Sequence, residues 1–347
     1  MNAGSDAVTM DAPVQETHWR LPRRRIAMLL AIPVSVLAVA LAAALAFGGP
    51  RTPPAMASIN DPFKSIDYSR LPPLRRYAAD DGAALAYRYY APEGTGPGGS
   101  VVLVHGSSAS SESMHVLASA YARAGQSVYS LDIRGHGASG PKGGIAYIGQ
   151  LDDDLARFLA TVHPPKPVPL AGFSAGGGFV LRVAGGARQD AIQSCVLLSP
   201  LLTQRAPNYR EGSGGWVEIG VPRLVALSLL NAAHVPVFQS LPVVRFALNE
   251  QARKFLTPQY SFALAANFGP RSDYAGNIRA VQRPCAVVGG TADEAFDTSK
   301  LEGIFRGAGK DWPVTLVPGI NHIGLIVDPR ATQAAVQAVQ DLRAKGS

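Results

Sequence analysis

The strongest constraint on the fold is a recurring pattern of short, largely apolar runs separated by stretches of helical periodicity. Val101-Val102-Leu103-Val104 ends at His105-Gly106, and similar runs follow at Ser127–Leu131, 168–170, Cys195–Leu198, 286–288 and Val314–Val317. Runs this short, with no polar alternation, predict strands covered on both faces. Between them, residues 112–124 carry Met114, Leu117 and Tyr121 at helical spacing. Residues 148–162 carry Ile148, Leu151, Leu155, Phe158 and Leu159 in the same way. Strands alternating with helices need crossover connections, hence a mostly parallel sheet with helices on both faces. Upstream, residues 75–79 and 85–90 flank Asp81-Gly82 and predict an antiparallel edge hairpin.

The alternation stops after Ser199-Pro200. About eighty residues, 201–283, precede the next core strand, too long for a structureless connection in a compact domain. With apolar helical patches such as 221–230 and aromatics including Trp216, Phe238, Phe246 and Phe268, they predict a helical cap over the carboxyl edge of the sheet. The core is then split into residues 71–200 and 284–347.

Gly172-Phe173-Ser174-Ala175-Gly176 follows the run 168–170 and opens a helical stretch, Ala175–Ala184. Gly-x-Ser-x-Gly alone is weak, since a chain with this glycine content yields roughly a quarter of a match by chance. Between strand and helix it marks a sharp turn that exposes the serine hydroxyl, with the glycines leaving room for it. A serine nucleophile needs a base to take its proton and a carboxylate to orient that base. Of the seven histidines, only His322, in Gly319-Ile320-Asn321-His322, lies in a loop after the final strand, where the chain order Ser, acid, His places the base. The acid belongs in the loop after the preceding strand. Asp293 is the candidate there, with Glu294 as rival and Asp297 better placed to cap the helix starting near Thr298. The backbone N–H groups of Ala175 and Ser107 are the expected oxyanion donors. The turn Asp132-Ile133-Arg134-Gly135-His136-Gly137 reads as a rigid element whose charges hold loops together.

Together, Val104-His105-Gly106, this 132–137 turn, the Ser174 motif, the Asp293 loop and the His322 loop resemble the α/β-hydrolase superfamily. Within it they are most similar to the monoacylglycerol lipase, lysophospholipase and serine aminopeptidase branch. Phe173 departs from the His which that branch commonly carries beside the nucleophile. The resemblance covers roughly residues 71–344. It implies a serine hydrolase that cleaves carboxylic esters through an acyl-enzyme, with no metal or organic cofactor. The apolar cap points to a small-molecule ester or lipid-like substrate. An aminopeptidase-like peptidase, for which Glu211, Glu218 or Glu250 would hold the substrate amine, remains open. So do an acyltransferase and a non-enzymatic binding protein.

The amino terminus bears on location. Ile26 to Phe47 is a run of 22 uncharged residues, about 33 Å as a helix and long enough to cross a bilayer core. Arg23, Arg24 and Arg25 abut its start, so residues 1–25 are expected on the cytoplasmic side and the catalytic domain across the membrane, in the periplasm if the source is bacterial. A cleaved signal segment that releases a secreted enzyme, and a buried core helix, are the alternatives. Residues 48–70 read as a linker.

The net charge of +7 is scattered, without a Lys/Arg run or an aromatic-interleaved basic stripe, which argues against nucleic-acid binding. The two cysteines, Cys195 and Cys285, are expected as buried thiols, although their strands could be neighbours and bridge. No Cys/His spacing suits a metal.

Overall fold

The computed structural model describes Met1 and residues 23–94, 96 and 98–346, the side chains of 23–34 and 346 excepted. The expected cytoplasmic tail therefore lies largely outside the described residues. The chain divides into two units, Met1–Ala43 and Ala44–Ser347. A 25-residue helix, Arg23–Phe47, begins in the first unit and covers the expected anchor. Among the described residues no helix is long and apolar enough to cross a membrane.

In the second unit, eight strands form one sheet: β1 (Leu74–Ala78), β2 (Ala84–Tyr90), β3 (Ser100–Val104), β4 (Ser127–Leu131), β5 (Leu170–Phe173), β6 (Cys195–Leu198), β10 (Cys285–Gly290) and β11 (Val314–Val317). Their order is β1-β2-β4-β3-β5-β6-β10-β11. The expected hairpin is the antiparallel edge, and β4 through β11 run parallel. Strands β3, β4, β5, β6 and β10 are buried along their whole length, in keeping with their largely apolar sequence, whereas β11, expected to be covered on both faces, lies at the sheet edge and exposes Thr315 and Leu316. β5 starts two residues later than expected and runs to Phe173, so the strand delivers the chain straight into Ser174.

The cap departs from expectation in composition. It holds the helix Val221–Ala232, but also a three-stranded antiparallel sheet of β7 (Val217–Ile219), β8 (Pro242–Phe246) and β9 (Gln259–Ser261). Strands of three to five residues are too short to show a clear period-two pattern, so only the helical component was visible in the sequence. Residues 48–70, expected as a linker, contain the helical turns Ala57–Asn60 and Pro62–Ser65, and Ile59 is buried there.

The cysteines also depart from expectation. Cys195 on β6 and Cys285 on β10 are partners in register, with Cα atoms 4.5 Å apart, and are joined by a disulfide rather than left as thiols. The bridge ties the two halves of the core across the whole cap insertion. Maleimide labelling of the denatured, unreduced protein should give no adduct, and labelling after reduction should give two per chain. Adducts without reduction would contradict the bridge.

Candidate active site

At Ser174 the backbone takes φ 55 and ψ −118, a region that costs a non-glycine residue about 1–3 kcal/mol. The strain is enforced from both sides. Ser174 N–H donates to Leu198 O at 2.9 Å, while Ser174 O accepts from Gly178 and Leu201 N–H at 3.1 and 2.9 Å. A Cβ on Gly172 would meet the carbonyl oxygen of Gly176, and one on Gly176 would meet those of His105 and Val104. The two glycines of the motif are thus required by close backbone approach. The helix Ala175–Ala184 then buries Phe179, Val180 and Leu181 completely, which holds the turn against the sheet.

The three side chains singled out from sequence converge, although they come from three separate loops. Ser174 Oγ lies 3.1 Å from His322 Nε2, and His322 Nδ1 lies 2.8 Å from Asp293 Oδ2. With the proton on Nδ1, His322 donates to the carboxylate and its Nε2 accepts from the serine hydroxyl. Asp293 also accepts from Ser199 Oγ at 2.5 Å and from the N–H groups of Ala295 and Phe296 at 2.8 and 2.9 Å. Burial pushes its pKa up, but the His322 charge and these hydrogen bonds outweigh burial and hold the carboxyl below its ordinary value. Glu294 does not touch the imidazole. Its Oε2 accepts the backbone N–H of His322 at 2.9 Å and so holds the His322 loop. Asp297 stands at the start of the helical turn Thr298–Lys300 but accepts from the Ser299 hydroxyl rather than from a backbone N–H.

Ser107 and Ala175 both face the same space as Ser174 and His322. The Ala175 N–H opens a helix, where no intrahelical acceptor exists. The cap secures the Ser107 loop on either side. Trp216 Nε1 donates to Ser107 Oγ at 2.9 Å, Ser108 N–H donates to Tyr260 Oη at 2.6 Å, and Tyr260 Oη in turn reaches His136 Nε2 at 2.6 Å. Ser108 and Thr257 exchange two further bonds. Sequence reasoning missed Ser199, Trp216 and Tyr260, because each acts across a fold distance that no local motif encodes. The charged turn behaves as expected: Arg134 pairs with Asp154 at 2.7 Å and with Asp81 at 2.8 Å, and Asp132 accepts from the N–H groups of Ser111 and Ala138.

Two cavity lobes meet at Ser174. The larger, about 210 Å³, is lined largely by apolar side chains including Ile59, Phe63, Phe255 and Ile326. The smaller, about 80 Å³, adds Gln204, Tyr209 and Ser213 to an aromatic wall.

Residues 95–329 match the family described as serine aminopeptidase, S33. The chain belongs to that α/β-hydrolase family. A monoacylglycerol lipase of Mycolicibacterium smegmatis is 36% identical over 129 residues, 35% of this chain and 44% of that protein, so the match spans less than half of the relative. Among solved structures, a monoacylglycerol lipase of Paleococcus ferrophilus superposes with a TM-score of 0.56 at 20% identity, over 76% of this chain and 99% of that one. A soluble variant of the Saccharomyces cerevisiae monoglyceride lipase, bound to a substrate analog, gives 0.61 at 19% identity, over 79% and 95%. These two likenesses establish the S33 chain's fold.

Beside the site, His105 and His136 are fully buried with edge-to-face rings, and burial pulls both pKa values below 6.5, His136 further because of its neighbour. The unfolded chain protonates them below about pH 6.5 while the folded one keeps them neutral, so the unfolded state binds more protons there. Their stabilisation is complete above pH 6.5 and is lost as pH falls below it, by up to about 1.4 kcal/mol per pH unit per histidine. Denaturant midpoints should therefore drop from pH 7 to pH 5, and much less in His105→Gln/His136→Gln. A flat wild-type profile over that range would refute this.

Proposed function

We propose that this chain is a serine esterase that hydrolyses carboxylic esters of lipid-like acids, such as monoacylglycerols or lysophospholipids, through an acyl-enzyme. The observation that carries the reading is the unbroken line from Ser174 Oγ through His322 to the buried Asp293 carboxylate. In this mechanism His322 Nε2 takes the hydroxyl proton as Ser174 Oγ attacks the ester carbonyl. Asp293 stabilises the imidazolium that forms, and the N–H groups of Ser107 and Ala175 hold the oxyanion. Collapse breaks the ester bond, and His322 returns the proton to the departing alkoxide. Water, deprotonated by His322, then attacks the acyl-enzyme, releases the carboxylic acid and restores Ser174.

The unequal lobes support the substrate class: the larger, about 210 Å³, has room for an acyl chain along Ile59, Phe63, Phe255 and Ile326, and the smaller, with Gln204, Tyr209 and Ser213, suits a compact hydroxylated alcohol. The names of the relatives agree with this choice. An aminopeptidase would need a carboxylate to hold the substrate amine; Glu211, Glu218 and Glu250 line neither lobe, and Glu112, which lines the larger one, is paired with Arg88 at 3.7 Å. We place the enzyme outside the cytoplasm, held by the segment 26–47 with the amino terminus cytoplasmic. The Cys195–Cys285 bridge supports an oxidising compartment.

The test is turnover of p-nitrophenyl esters and monoacylglycerols beside alanyl p-nitroanilides. The wild type should cleave the esters in preference, and Ser174→Ala should lose about 10⁴-fold or more in kcat. Ser199→Ala, which removes one bond to the Asp293 carboxylate, should retain the activity at about one-tenth of the wild-type kcat. Ester turnover by Ser174→Ala equal to that of the wild type would overturn the mechanism.

A further inference from the structure

The larger lobe has a wall that the family match does not include. Its match begins at residue 95, yet Ile59, Asn60, Phe63 and Tyr68 line the cavity that opens onto Ser174. We propose that the segment 57–68 is the acyl-length gauge of this enzyme, with Phe63 as its principal stop. The proposal rests on the esterase reading and specifies which part of the chain selects the acid.

Behind the wall lies a second cavity of about 550 Å³, lined by Pro62, Ser65, Ile66 and Asp67 from the same segment. Successive residues of one strip thus face opposite sides. The division continues on the neighbouring elements: Glu112 and Ser113 line the Ser174 lobe while His115 and Val116 line the outer groove, and Ile326 and Val327 divide likewise. Among the described residues none lines both cavities, so the segment presents different side chains to each. Its inner surface is largely apolar, and the groove beyond carries Arg70, Glu93, His115 and Arg123. On this proposal an acyl chain that outgrows the lobe is stopped by Phe63 and Tyr68.

The wall is also fixed in place, as a gauge must be. Met56 N–H and Asn60 Nδ2 both donate to Ala247 O of the cap, at 2.9 and 3.0 Å. Further upstream Arg245 Nη1 donates to Thr52 Oγ1 at 2.9 Å, and Arg223 donates to the carbonyls of Leu45 and Ala46. Phe63 packs against the main hydrophobic core, and the Tyr68 ring lies 5.7 Å from that of His115. The ties to the cap come from the Met56 N–H and the Asn60 side chain, so replacing Phe63 changes the lobe and leaves them in place.

The experiment measures kcat/KM of the full-length protein for p-nitrophenyl butyrate and p-nitrophenyl laurate. The variants are Phe63→Ala, Phe63→Trp and, on the outer face, Ile66→Ala, each first shown to unfold cooperatively like the wild type. Phe63→Ala should raise the laurate-to-butyrate ratio about tenfold and Phe63→Trp should lower it by a similar factor, as expected for a few methylenes gained or lost in an apolar pocket. Ile66→Ala should leave the ratio where it was. A ratio unmoved by both Phe63 variants, or moved as much by Ile66→Ala, would overturn the gauge while leaving an active esterase. A folded wild type that cleaves neither ester would instead overturn the reading on which the gauge rests.

Discussion

Everything at the site depends on the forced turn at Ser174. A non-glycine residue at φ 55 persists only where its surroundings over-determine it. Here β5, buried along its length, brings the chain in, and a helix with three fully buried apolar side chains takes it out. Hydrogen bonds to Leu198 and Leu201 then lock the turn to the end of β6. Parallel register does the rest. Because β5, β6, β10 and β11 are neighbours pointing the same way, the loops that carry Ser174, Ser199, Asp293 and His322 all emerge at one edge.

The cap is more than a cover. Trp216, Thr257 and Tyr260 hold the loop at Ser107 and Ser108, so the geometry of one expected oxyanion donor depends on the cap being seated. The chain upstream of the core is stitched to the same cap through Ala247, Arg245 and Arg223. Cap, upstream chain and the Ser107–Ser108 loop therefore form one connected frame around the cavity. A frame held at several points fits a site that must align reacting groups within a fraction of an ångström.

Much of this was legible in the sequence, and the reasons are physical. Buried parallel strands must be short and largely apolar, which made β3, β4, β6 and β10 visible; β11, half exposed at the edge, showed as an apolar run all the same. The turn at Ser174 must have glycine at 172 and 176, and chain order then singled out His322 among seven histidines and the loop of Asp293; that Asp293 rather than its rival Glu294 meets the imidazole shows only in the folded chain. What escaped depended on contacts between distant residues. The pairing of Cys195 with Cys285 is a matter of register across 90 residues. The cap sheet is built from strands too short to show a period. The role of Phe63 appears only once residues 57–68 fold back onto the core, since nothing in Pro62-Phe63-Lys64-Ser65 marks it as a pocket wall.

The central claim is that Ser174, and no other serine, is a nucleophile activated by His322. Fluorophosphonate treatment of the intact protein, followed by peptide mass mapping, tests it directly because, among serines, the reagent reacts with those whose hydroxyl is activated. The account predicts a single adduct on Ser174, lost in His322→Ala although Ser174 remains. Absence of an adduct from the folded wild type, or an adduct that forms equally well in His322→Ala, would contradict it.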